Sequence, residues 1–167
     1  MTAAPSFAAY TPSLIIEQSS YKVGGASTVD VFLAMGQNDD PTAKMTIFSP
    51  PGYTASLTAA PGTKIGTVVA RVKAKALGNA LLTLAGDVLV ANPADPAIQA
   101  AATQCTGTTT HTTIWVLNTS LQGQTVAIPV FVDQKGPVVV QQVCLPSPDI
   151  PEAMGGAKFG AQLFAAD

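Results

Sequence analysis

At 167 residues, 47% hydrophobic and only 11% charged with a net charge of −2, the chain has the apolar content for one buried core and too little charge for a disordered segment. Its apolar runs are short and interrupted, which argues against a membrane-spanning helix of about 20 residues. Its eight basic residues form no stripe and few aromatics accompany them, so nucleic acid is not an expected partner.

Thirteen prolines, fourteen glycines and frequent threonine describe a turn-rich, strand-rich chain, poor in the residues that fill surface helices. Residues 1–12 read as a flexible leader, with Pro5 and Pro12 inside it. Leu14-Ile15-Ile16 is a first short strand, and Tyr21 to Gly25 leads into a turn. Thr28 to Met35 is strongly β-prone, with Val29, Val31, Leu33 and Met35 on one face by period two. Residues 36–41 form an acidic loop, and Lys44 to Phe48 is the next strand. Pro50-Pro51-Gly52 ends it, because proline cannot donate to a ladder.

Ile65 to Ala74 alternates as a strand should. Arg71, Lys73 and Lys75, spaced by two, are expected together on one solvated face. Gly78-Asn79 turns the chain into Ala80 to Val90. That segment has helical propensity in Leu81, Leu82 and Leu84, but Thr83 and Gly86 interrupt it and its neighbours are strands, so a strand is expected. Asp95 and Pro96 supply a cap and a first-turn proline for a short helical turn over Ala97 to Ala102. A threonine-rich stretch follows, then strands at Ile114 to Leu117, Thr125 to Val132 and Val138 to Leu145. Pro146, Pro148 and Pro151 make an extended linker, and Lys158 to Phe164 reads as a terminal strand.

Eight or nine short strands separated by turns, with one short helical turn, point to an all-β, antiparallel, immunoglobulin-like β-sandwich. The expected plan is a leader over 1–12, the sandwich over 13–146, and a Pro/Gly-rich linker with a terminal strand over 147–167. That last strand must dock on its own sheet, on another domain or on another copy of the chain.

Cys105 and Cys144 are the only cysteines. Neither has a second cysteine or a histidine at ligand spacing, so zinc or redox chemistry lacks partners and a disulfide is expected. Thr2-Ala3-Ala4-Pro5 behind Met1 reads like the start of a mature exported chain. Together with low charge, it makes a secreted or cell-surface location the expectation.

Catalytic signals are sparse. His111 is the only histidine, any triad would have to use it with Asp87 or Asp133, and no Gly-x-Ser-x-Gly elbow surrounds a serine. No cofactor is implied. Asn38, Asp39 and Asp40 form the best metal candidate, as part of a calcium loop, although an EF-hand pattern is missing. A self-formed isopeptide bond would need Lys44, Asn118 and Asp30 or Asp87 to meet in an apolar pocket. Trp115, mid-strand among apolar residues, reads as core, packed near the disulfide. A saccharide-binding surface would instead display Tyr21, Tyr53 or Trp115.

Phe48-Ser49-Pro50-Pro51-Gly52-Tyr53, Pro61-Gly62-Thr63-Lys64-Ile65-Gly66, Val143 to Pro151 and Gly155 to Ala161 together resemble secreted actinobacterial β-sandwich proteins of unknown function, over most of residues 10–165. The resemblance implies export and sandwich modules, with a further sheet-forming segment beyond this point, and implies no reaction. The expected function is a non-enzymatic extracellular structural, adhesive or interaction module, recognising a protein partner or itself through edge or terminal strands. The alternative is a carbohydrate or small-ligand binding module.

Overall fold

Strands form where β-branched and apolar residues alternate between prolines and glycines, and the computed structural model follows that punctuation closely. It describes residues 10–36, 39–52, 57–121 and 123–167. In chain order the elements are β1 (Ser13–Gln18), β2 (Val29–Ala34), β3 (Lys44–Ser49), β4 (Lys64–Ala74), β5 (Ala80–Val90), α1 (Pro96–Thr106), β6 (Thr113–Leu121), β7 (Gln124–Lys135), β8 (Val138–Cys144) and β9 (Ala161–Ala166). The ambiguous Ala80–Val90 segment is a strand along its whole length. Gly78 and Asn79, both left-handed at φ 68° and 64°, turn the chain into it, and Asn79 N–H donates to Ala74 O at 3.0 Å.

The nine strands among the described residues join one antiparallel sheet in the order β1-β2-β9-β4-β5-β6-β7-β8-β3, curled into a half-barrel. The immunoglobulin-like sandwich expected from strand spacing is therefore corrected to a single curved layer. Alternation along a strand shows that one face is apolar, but not what covers it. Here α1 covers one face of the sheet at Ala91, Ile114 and Phe131, and the C-terminal segment covers the opposite face at Val72, Leu84 and Leu121. The terminal segment contributes β9 to the middle of the sheet, where it pairs with β4 through Ala70–Ala74 and with β2 through Leu33 and Ala34.

Two local devices bend the sheet. A Cβ on Gly86 would lie 2.0 Å from Asn118 O and 2.8 Å from Thr119 Cα. Only glycine lets β6 approach β5 that closely, and such a position suits a barrel corner. The registers of β4 with β5 and with β9 also shift, between Lys64 and Gly66 and between Arg71 and Val72, and bulges of this kind increase local twist and bend.

The helix is longer than the one or two turns expected over Ala97 to Ala102. Asp95 caps it, its Oδ1 accepting Ala97 N–H at 2.8 Å. The helix runs three turns to a left-handed Gly107, whose N–H donates to Thr103 O. It packs Ile98, Ala101 and Cys105 against Ala91, Ile114, Val116 and Phe131. A second cluster gathers Val130, Val132, Val139 and Val143 with Met45, Leu57 and Trp115. A third joins Val72, Leu84 and Leu121 to Phe159 and Leu163 of the tail.

Candidate functional site

Two places in the fold carry enough chemistry to consider. The first lies where α1 ends. His111 has a fully buried side chain and is stacked at 5.0 Å from the Phe131 ring. Its Nδ1 lies 3.2 and 3.1 Å from the two carboxylate oxygens of Asp133, which requires the proton on Nδ1. Its Nε2 lies 3.0 Å from Thr106 Oγ1 and 3.3 Å from Thr108 O. Asp133 thus proves to be the partner, whereas Asp87 pairs with Lys64 at 2.6 Å. Thr106 was not visible as a member of this cluster from sequence. The available signal was its place on the last turn of a helix, five residues before His111.

The hydroxyl–imidazole–carboxylate order imitates a nucleophilic triad, but the surroundings oppose that chemistry. The Thr106 hydroxyl reaches the carbonyl oxygens of Ala102 and Thr108 at 2.9 and 3.1 Å, so its proton has acceptors other than the ring. Thr106 also sits at the carboxyl end of α1, the negative pole of the helix, where the negative charge of acyl transfer would be disfavoured. Asp133 Oδ1 further accepts Thr112 N–H at 3.3 Å. The cluster therefore ties the helix end to β7.

The second place is the inside of the curl. A cavity of about 510 Å³ is lined by Val68 and Val72 of β4, Leu84 of β5, Leu121 of β6, Val126 and Ile128 of β7, Val143 of β8 and Leu163 of β9. Its boundary also includes Ala101, Gln104 and Cys105 of the helix, and the tail around Gly155–Lys158. The sheet leaves room for it. β7 pairs with β8 only from Val130 to Lys135, because β8 ends at Cys144 and Pro129 has no N–H to extend a ladder. Residues of both faces of β7 line the cavity, Val126 and Ile128 on one, Ala127 and Pro129 on the other. The cavity accordingly runs past the open flank of β7.

Several polar groups on this boundary are already engaged. Thr119 Oγ1 donates to Val126 O at 3.1 Å, Gln162 Nε2 to Asp39 O at 3.0 Å, and Lys158 Nζ to Gln124 Oε1 at 3.0 Å. What remains for a guest is mostly hydrocarbon.

Beside the cavity, Cys105 and Cys144 form a disulfide with Cα atoms 5.7 Å apart, joining the last turn of α1 to the end of β8. Lys44 Nζ donates to Cys105 O at 2.9 Å, so although Asp87 lies opposite Asn118 across the ladder, Lys44 is engaged elsewhere and the three do not meet for an isopeptide bond.

The other sequence candidates disperse. Asp39 is buried, and its Oδ2 accepts the N–H groups of Thr11 and Gly36, each at 2.9 Å, so the carboxylate closes its loop and ties it to the segment before β1. Asp40 is exposed, and Asn38 and Tyr53 lie outside the described residues. Among the described residues no group of three acidic, histidine or cysteine side chains is placed to hold a metal. Tyr21 is exposed on the connection between β1 and β2.

Trp115 is half-buried against the Val130–Val143 cluster. By alternation along β6, it faces away from the residues under α1 and from the disulfide, contrary to expectation. Its indole N–H has no partner among the described residues. Arg71 and Lys73 share the exposed side of β4, whereas Lys75 lies in the 3-10 turn at 75–77 and pairs with Asp149. No helix among the described residues is long and apolar enough to cross a membrane. The chain matches no protein-family model, no curated protein and no solved structure.

Proposed function

We propose that the protein is a non-enzymatic, extracellular binding module that holds a small apolar ligand inside the curled sheet. The observation that carries this reading is the apolar cavity of about 510 Å³, within the roughly 300–1,000 Å³ range of small-molecule sites. Engaged polar groups on the boundary favour a hydrocarbon-rich guest over a saccharide, which would need free hydrogen-bonding groups or an aromatic platform. Tyr21 and Trp115 do not assemble one. The extracellular setting is supported by the disulfide, since such bonds persist in oxidising compartments. The non-enzymatic reading is supported by the helix-end setting of Thr106, His111 and Asp133.

The test is a titration with N-phenyl-1-naphthylamine, a neutral apolar fluorophore. Saturable, blue-shifted emission is expected from the native protein. Ala70 lines the cavity and pairs with Leu84 across the ladder, so Ala70→Phe fills the space. It is expected to abolish the signal while leaving the β-sheet circular dichroism intact. Equal fluorophore binding by a folded Ala70→Phe protein refutes the assignment.

A further inference from the structure

Ligand capture does not account for the hairpin at the other end of the sheet. Among the described residues β1 pairs only with β2, and β2 pairs with the rest of the sheet only at Leu33 and Ala34, with Met35 N–H just beyond donating to Phe164 O at 3.0 Å. The hairpin is apolar on both faces. Leu14 and Ile16 lie with Leu33 and Val31 on one, and Ile15 lies with Phe32 on the other. Leu14, Ile15 and Ile16 are 47%, 55% and 45% exposed. A strand apolar on both sides is the pattern of a strand covered on both sides. Behind Ile15 a further groove of about 350 Å³ is lined by Phe32, Val69 and Ala165.

The backbone shows which pairing the edge can accept. Ser19 N–H donates to Thr28 O at 3.0 Å. Antiparallel alternation then turns the peptide groups of Ser13, Ile15 and Glu17 toward β2 and those of Leu14 and Ile16 outward. No described strand meets the outer edge of β1.

We infer that a second copy of this chain pairs there, β1 against β1, about a two-fold axis at Ile15. In this register Leu14 exchanges both backbone hydrogen bonds with the partner's Ile16, and Ile16 with the partner's Leu14. Residues directly opposite in an antiparallel pair share a face, so these four side chains form one apolar cluster. Ile15 meets the partner's Ile15 on the other face, and Glu17 meets the partner's Ser13, so the two carboxylates stay apart. Shifting the axis to Ile16 would instead set Ile15 against the partner's Glu17. The surface is thus self-complementary, and the two-fold closes it, as an isologous interface requires. The result joins two half-barrels through one continuous sheet.

The experiment uses the full chain. Sedimentation velocity at micromolar concentration is expected to show a dimer. Leu14→Lys with Ile16→Lys changes two side chains that are half exposed in the monomer, and is expected to give a folded monomer with unchanged β-sheet circular dichroism, whose melting temperature no longer depends on concentration. Because both native cysteines are in the disulfide, a new thiol can be read cleanly. At a non-hydrogen-bonded pair the two Cα atoms lie about 4.5 Å apart, so Ile15→Cys is expected to cross-link copies in oxidised glutathione, which accepts the two electrons. Leu14→Cys, offset by two residues across the axis, is expected to cross-link far more slowly.

A monomeric native protein overturns the proposal, especially one whose Leu14 and Ile16 amides resist hydrogen exchange, since the edge is then occupied within the chain. Open-ended oligomers overturn it as well, because they require a contact that does not close. Cross-linking of Leu14→Cys as fast as Ile15→Cys overturns the register. Fluorophore binding by the Lys variant reads the cavity separately, so failure of either proposal is seen independently.

Discussion

At the residue scale, the most constrained side chain is His111. Its ring is fully buried, both nitrogens are engaged, and the groups it joins come from the helix end and β7. Removing it leaves the Asp133 carboxylate without its main partner and opens a hole beside Phe131. His111→Ala is therefore expected to lower unfolding stability in urea by about 2–4 kcal/mol, with fluorophore binding in the curl unchanged. A variant as stable as the parent would contradict the tie between α1 and β7.

The sequence offered His111 and two possible acids but no means to choose between them, because the choice depends on which strand faces the helix end. Trp115 illustrates the same limit. Its burial is legible from its apolar neighbours, but its side of the sheet depends on where α1 lands. Asp39 shows a different one: an acidic residue in a turn reads equally well as a cation ligand and as an acceptor for backbone N–H groups, here of Gly36 in its own loop and Thr11 before β1.

At the element scale, local signals located most of the strands and the start of the helix. Several strand limits fall beside proline, glycine or asparagine, as at Pro50 after β3, Asn79 before β5 and Gly136 between β7 and β8, and Asp95 with Pro96 starts the helix as those residue types should. Thr83 and Gly86 decided correctly for a strand over 80–90. Gly86 also carried an unread message, since the close approach of β6 that it permits is a long-range fact.

The helix outran expectation, continuing past Ala102 until Gly107 closes the end, with the hydroxyls of Thr103 and Thr106 bonded back to the carbonyls of Gln99 and Ala102. Its attachment to β8 is covalent, through a disulfide closing 39 residues of chain. On the chain-entropy account such a loop contributes about 4 kcal/mol. Replacing both cysteines by serine is expected to lower unfolding stability by about that amount. The native protein should also gain the mass of two hydrogens on full reduction. Unfolding midpoints unchanged by the double replacement would contradict the role given to this bridge.

At the scale of the whole molecule, the number of strands and their antiparallel sense were within reach of the sequence, and the architecture was not. Period-two alternation gives each strand an apolar face, and two facing sheets are one way to cover such faces. A single curl covered on one face by a helix and on the other by a C-terminal tail is another. The two differ only in pairings between residues far apart in the chain, such as Val72 with Leu163. The difference matters for function, because facing sheets interdigitate their side chains into a filled core, whereas this curl keeps an apolar hollow.

Crystals pressurised with xenon test that hollow and the fold around it together. The account predicts one sheet of nine strands with xenon seated in the concavity beside Val68, Leu84 and Leu121, as apolar cavities of this kind take up the gas. Two separate sheets with interlocked side chains and no xenon between them would contradict it.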